Sequence, residues 1–355
     1  MVDLATEYTA EELLATHAIA EPLVVAGVRC HGGFTADGTY VSPRTRFRAE
    51  AITAWQQRHT ETFGTEILDV PLDTWPEHYP NVAQAKHLIA EGVRDPIVAT
   101  LTRIGTVEGF GAVIRTCNVE NIQQFVEEDI SGTALEHLDR GLLEAHARDE
   151  AGFGDEAGHR QMWYATRDIA FEHPLSADEE QSLIERTTLG RAAPGTVVSR
   201  PGGIDDLDAS LGTLIERMTR ILLIELSAYR AFAWAEAVLS DTTLVAGNGE
   251  AARIVSYIRQ DESPHVGYLR TALTELRDRT LIDRSSRRHL GRDLIGGFWD
   301  DAFAQSVGAT RRTAVDSARR EVEQALEGNR RRASILEQFH ALASDQETNE
   351  ATEPA

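Results

Sequence analysis

A chain of 355 residues with a formal net charge of −22 and 42% hydrophobic residues carries enough apolar material for one large core or two modest ones. Its acidity argues against nucleic acid and anionic membrane surfaces as partners, since a polyanion is repelled by such a field unless a basic patch opposes it. Only two cysteines, Cys30 and Cys117, occur, which excludes a disulfide-built fold and favours a reducing cytoplasm.

Residues 1–80 are mixed in texture. The first twenty are acidic and lack the apolar run of a signal peptide. Thr9 and Glu12 have the spacing of a capping box, so a helix is expected to start there. Pro22–Val28 reads as a short strand, His31–Gly38 as turn-rich and Arg44–Phe63 as a helix, before Pro71, Pro76 and Pro80 break the chain. From Asp95 to Cys117 apolar residues recur at three- and four-residue steps, with Asp95 as cap and Pro96 in the first turn. An amphipathic helix is expected over Ser131–His146, a break at Gly152-Phe153-Gly154 and a helix over Asp155–Phe171. Residues 172–210 look loop-like, and their Gly- and Pro-rich part, 191–203, reads as a surface connection or a lid over a channel. Helices are expected over Leu211–Ser240, Glu250–Arg279, 286–306 and 311–343, followed by a disordered acidic tail, 344–355. The basic runs Arg284–Arg292 and Arg330–Arg332 read as solvated helix faces. No apolar stretch approaches the ~20 residues that cross a bilayer.

Two segments share one template. Asp155-Glu156-Ala157-Gly158-His159 and Asp261-Glu262-Ser263-Pro264-His265 both read DExxH. On a helix, residues i and i+3 share a face, so Glu156 with His159 and Glu262 with His265 can each offer a carboxylate and an imidazole to one point. Asp155 and Asp261 are placed to orient an imidazole, in their own helix or the facing one. About one ExxH is expected by chance in such a chain. Glu337-Gln338-Phe339-His340 is such a match, and it lacks the Asp. Pro264 should kink its helix, and Gly158 should weaken the first one. No HExxH occurs, so zinc proteolysis has no support.

A two-metal site of this kind needs one more Glu from each of two other helices. Glu225 lies in the apolar run Ile221-Leu222-Leu223-Ile224-Glu225-Leu226, where an ionised carboxylate is costly without a partner. Glu108 sits in similar surroundings, with glycine neighbours that allow close helix approach; Glu120, Glu127, Glu128, Glu136 and Glu144 are rivals in more charged contexts. Tyr229, one turn after Glu225, is a candidate hydrogen-bond donor to the site, or a core tyrosine.

The order Glu, DExxH, Glu, DExxH over residues 95–280 resembles the ferritin-like superfamily of di-iron carboxylate proteins. The likeness is greatest to bacterial multicomponent monooxygenase hydroxylases and related N-oxygenases. It implies an all-α, ferritin-like four-helix bundle with extra N- and C-terminal helices. Residues 1–80 would form an irregular extension packed on a domain spanning 81–343. It further implies two irons, or manganese or a mixed pair, held by Glu108, Glu156, His159, Glu225, Glu262 and His265, with Asp155 and Asp261 behind them. The expected activity is an O2-dependent oxidation of a small organic substrate, supplied by an electron donor such as a reductase or ferredoxin, in a cytoplasmic protein that could pair as a homodimer. A ferroxidase without organic substrate and a metal-free helical scaffold are the alternatives.

Overall fold

The computed structural model describes residues 5–70, 72, 75–117, 119–192 and 204–350. The capping box at Thr9 forms, with the Thr9 N–H donating to Glu12 Oε2 at 2.8 Å, but the helix it opens, α1 (Ala10–Leu13), is a single turn. An antiparallel sheet of order β1-β2-β3 follows, built from Glu21–Val25, Val28–Phe34 and Tyr40–Val41. Its first turn places Ala26 and Gly27 at φ 46° and 78°, the left-handed pair that suits a tight hairpin.

The remainder is mainly helical. The structure is 65% helix against 8% strand, consistent with the all-α class with small sheets attached. The helices that matter for the site are α2 (Arg48–Phe63), α3 (Val82–Ala90), α4 (Asp95–Gly111), α5 (Ala134–His137), α6 (Leu143–Ala151), α7 (His159–Phe171), α8 (Ala177–Ala192), α9 (Ala209–Leu239), α10 (Glu250–Asp261) and α11 (Ser263–Arg277). A hairpin, β4 (Thr280–Ile282) with β5 (Arg288–Leu290), then leads to α12 (Gly297–Gln305), α13 (Arg311–Ala325) and α14 (Arg332–Glu350).

Several boundaries differ from the sequence expectation. The helix expected over Ser131–His146 is broken at Gly141, whose φ of 136° no L side chain adopts comfortably, and α6 then runs on to Ala151. The helix expected from Asp155 begins only at His159. Residues 172–210 contain α8 rather than only loop, and the proposed lid, 191–203, falls almost wholly outside the described residues. Part of 286–306 is strand. The expected break near Pro264 is present, as α10 ends at Asp261 and α11 starts at Ser263. Of the expected disordered tail, 344–350 belong to α14, which extends to Glu350, and 351–355 lie outside the described residues. Contrary to the sequence reading, one stretch, Asp95–Thr116, is long and apolar enough to cross a membrane by length and composition, although half of it is buried inside the fold.

α4, the broken pair α6–α7, α9 and the kinked pair α10–α11 pack around one polar layer. That layer divides two apolar cores. On α9, which is about 46 Å long at 1.5 Å per residue, Leu211 to Leu226 pack into one core and Ala228 to Leu239 into the other. Glu225 lies at the junction. Likewise α10 belongs to the second core and α11 to the first, with Glu262 between them. A third, smaller core forms where α3 meets α13 and α14.

Away from the polar layer, α11 and α5 are joined by Glu275, whose two carboxylate oxygens accept the backbone N–H groups of Ala134 and Leu135 at 3.1 and 2.9 Å. Burial pushes this carboxyl up to about 7, against the pull of Arg279 and the two N–H donors. A carboxyl raised in the folded state binds its proton more tightly there than in the unfolded chain. Its contribution is therefore full below about pH 4.5 and is lost as pH rises through about 7. Glu275→Gln should remove that part of the pH dependence, up to about 3 kcal/mol, read as the difference between variant and parent urea-unfolding free energies across pH 4.5–8.

Candidate metal centre

Glu108 from α4, Glu150 from α6, His159 from α7, Glu225 from α9, and Glu262 and His265 at the α10–α11 kink all point into the polar layer, and each is at most 5% exposed. His146, one turn before Glu150, joins them and is fully buried. Two groups of donors converge. Glu108, Glu150, His159 and Glu262 offer atoms within 4.8 Å of one another, and so do His146, Glu150, Glu225 and His265. Glu150 belongs to both: its Oε1 is 3.3 Å from His159 Nδ1 and 3.2 Å from His265 Nδ1. Glu262 also spans the two, with Oε1 2.9 Å from His159 Nδ1 and Oε2 2.7 Å from His265 Nδ1.

Close contact here does not mean satisfied hydrogen bonding. Glu108 Oε2, both Glu150 oxygens, Glu262 Oε1, His159 Nδ1 and His146 Nε2 are buried without a hydrogen-bond partner. Their lone pairs face a shared space rather than one another's hydrogens. Each such atom costs about 1–3 kcal/mol if nothing meets it. A pair of divalent cations would meet these atoms, and its charge would balance the four glutamates. The donor set thus fits a carboxylate-bridged two-metal site.

The titration behaviour points the same way. Burial, then the neighbouring Glu150 and Glu262, push Glu108 well above the usual carboxylate range. Burial, then Glu262 and Glu150, do the same to Glu225. Burial and the adjacent His265 hold His146 well below its ordinary value, so it stays neutral, the form that ligates metal. Burial would also lower His159, but Glu262 and Glu150 outweigh it and raise it well above the usual range. Without a cation, the carboxylates draw protons into the layer in its place.

The atoms behind these ligands come largely from far away in sequence. Asp149 Oδ2 accepts from His265 Nε2 at 3.0 Å, and its two oxygens also take Arg44 Nε at 2.6 Å and Arg48 Nη2 at 2.7 Å. Burial alone would raise the Asp149 carboxyl, but the two guanidiniums and His265 hold it well below the usual range. Asp261 Oδ2 lies 3.4 Å from His159 Nε2 and 3.2 Å from His31 Nε2 on β2, and it accepts the Tyr40 hydroxyl of β3 at 2.9 Å. Each aspartate therefore orients the histidine of the opposite helix pair, which leaves Nδ1 facing the centre. Tyr268 holds His146 through a 3.1 Å contact to Nδ1.

The first DExxH reading is corrected here. Asp155 and Glu156 are not on a helix. They lie in a loop, Gly152–Gly158, that bridges Phe153 to Glu156 and pairs with β2 through His31 N–H to Ala157 C=O and Ala157 N–H to Arg29 C=O, each 2.9 Å. Asp155 is 86% exposed, and both acids pair with Arg29, at 3.7 and 3.3 Å. The structure puts Glu150 where Glu156 was expected, and Asp149 where Asp155 was expected. The sequence carried a signal for this. It reads Asp149-Glu150-Ala151-Gly152 and then, two residues later, Asp155-Glu156-Ala157-Gly158. The first copy closes α6, and the second forms the loop. A Cβ on Gly158 would lie 2.3 Å from Gly152 N and 2.6 Å from Asp149 C=O, so the loop closes only with glycine there. Tyr229 is corrected as well: it is 44% exposed and takes no place in the buried cluster.

Of the candidates for the first-helix glutamate, Glu108 is the one in the cluster. Glu144 pairs with Arg148, Glu136 with Arg140 and Glu127 with Arg288, while Glu128 binds Thr280 and Glu120 is exposed. The chance match at Glu337 and His340 is exposed on α14. Gly111 allows Glu150 to approach α4, since a Cβ there would lie 2.5 Å from Glu150 Cγ. A cavity of about 290 Å³, lined chiefly by Val107, Phe110, Val113, Ile221 and Ile224, ends on Glu108, Glu150 and Glu225. Comparison with protein-family models, curated proteins and solved structures finds no match to this chain.

Glu150→Ala should reduce bound metal from about two ions per chain to fewer than one, while Glu156→Ala should leave it unchanged, as measured by elemental analysis of protein reconstituted with ferrous iron. Gly158→Ala should cost about 1–3 kcal/mol through backbone overlap, measured by urea unfolding.

Proposed function

We propose that this chain is a ferritin-like di-iron protein that uses O2 to oxidise a small, mainly apolar organic molecule. The observation that carries the reading is the convergence of four buried glutamates and three buried histidines, six of whose donor atoms have no other partner. Mixed carboxylate and imidazole ligation suits iron, and manganese is the nearest substitute. When bound, two irons supply the electrons and open positions with which O2 is reduced.

The chain's own residues hold and shield that chemistry. Glu108, Glu150, His159 and Glu262 would hold one ion, and His146, Glu150, Glu225 and His265 the other. Asp149 and Asp261 fix the imidazole rings, and the N-terminal sheet excludes water from the side bearing Asp261, where His31 is 1% exposed. The cavity favours this reading over a ferroxidase. Its lining is mainly apolar beside the buried glutamates, and it also includes Arg217, whose positive charge repels Fe²⁺ instead of guiding it. A metal-free scaffold would leave the same donor atoms buried and unmet, at a cost few folds tolerate.

Protein reconstituted anaerobically with ferrous iron should hold about two irons per chain. On mixing with O2 it should oxidise them once and stop unless an electron donor is added. Binding of fewer than one iron per chain would sink the reading. Continuous turnover of added Fe²⁺ without organic substrate would replace it with the ferroxidase.

A further inference from the structure

The cavity that ends on Glu108, Glu150 and Glu225 has a second polar end. Arg217 and Arg220, both on α9, line it beside apolar Val113, which is 45% exposed and marks the solvent side. The two arginines differ. Arg220 pairs with Glu216 at 2.8 Å. Arg217 bonds the Thr116 hydroxyl and lies 3.5 Å from Cys117 Sγ, and no carboxylate of a described residue is within ion-pair distance of it. In a chain with a net charge of −22, an arginine with no carboxylate partner among the described residues, lining an apolar cavity, is a specific feature. Eight residues separate Arg217 from Glu225 on one continuous helix, about 12 Å along its axis. Apolar Ile221 and Ile224 fill the interval.

We infer that the substrate is a monocarboxylic acid with an apolar body of medium length. Its carboxylate pairs with Arg217, and its far end reaches the glutamate cluster. A planar carboxylate matches the guanidinium fork, and one uncompensated arginine suits one negative charge better than the two of a phosphate monoester. The acidic chain repels anions at long range, so the contact with Arg217 supplies selectivity at the mouth. The distance to Glu225 keeps the carboxylate away from the metals and presents a carbon of the body to them. This inference names the substrate class for the oxidation proposed above and rests on that reading.

The test is calorimetric titration of straight-chain carboxylates, hexanoate to tetradecanoate, and of the matching alcohols, into the full chain with and without reconstituted iron. One carboxylate of the series should bind at least tenfold more tightly than its alcohol. Arg217→Leu should erase that preference while leaving alcohol binding, iron content and melting temperature unchanged, and Arg217→Lys should restore part of it. Ile221→Trp, which fills the cavity, should abolish binding of both and guards against a misfolded arginine variant. Equal binding of acid and alcohol by the parent, no binding by any member, or an undiminished preference in Arg217→Leu overturns the inference. If that happens with about two irons bound per chain, only the substrate class fails. If the carboxylate preference persists in a chain that binds no iron, only the oxidase reading fails.

Discussion

Four glutamates and two aspartates buried in one layer dominate the energetics of this fold. Ionised carboxylates are expensive to remove from water, and each must be offset by a cation, a guanidinium or a hydrogen bond. The two aspartates are offset within the chain: Asp149 by Arg44 and Arg48, and Asp261 by His31 and Tyr40. Of the four glutamates, Glu262 is offset by His265 and His159, at 2.7 and 2.9 Å, whereas Glu108, Glu150 and Glu225 crowd one another in the same buried space. The remainder of the architecture can be understood as a means of holding that layer. Apolar cores on both sides clamp the helices that carry it; Glu150, His159, Glu262 and His265 stand where helices end or kink, while Glu108 and Glu225 project from within α4 and α9.

The N-terminal segment belongs to the centre rather than merely lying against it. His31, Tyr40, Arg44 and Arg48 reach acids more than 100 residues away. Arg44 does so with a left-handed backbone, φ 52°, a conformation that costs a non-glycine residue about 1 kcal/mol or more. The buried ion pair to Asp149 over-determines that geometry. Deleting either arginine would leave a buried charge half-compensated, which is why this region cannot be regarded as a dispensable extension.

Access to the layer is asymmetric. Side chains of the sheet cover Asp261, and the loop Gly152–Gly158 is stitched to β2 beside them. The apolar cavity between α4 and α9 instead reaches Glu108, Glu150 and Glu225. The polar layer is thus sealed by polar contacts beside Asp261 and bordered by a largely apolar cavity beside its glutamates.

How much of this was legible in sequence depends on the range of the interaction involved. Glu108, Glu225, Glu262 and His265 stand out because a charge or imidazole inside an apolar helical run is a local anomaly, and helical periodicity is local too. The all-α class follows from the same periodicity. The choice between Glu150 and Glu156 was different. Both are preceded by Asp and followed by Ala-Gly, and both precede His159. What separates them is whether the stretch is helix or loop, and that is decided by pairing with β2 and by the contact of Gly158 against Gly152, neither of which a helix-spacing argument contains. His31, Tyr40, Arg44 and Arg48 carry no local mark at all, because their role exists only once two acids more than 100 residues away are buried against them. By itself, then, the sequence determined the helical class and most of the residues gathered in the buried polar layer, through short-range periodicity and the cost of lone charges. The tertiary structure alone decided which aspartate-glutamate pair joins the buried cluster and what compensates the acids, because both depend on contacts between segments distant along the chain.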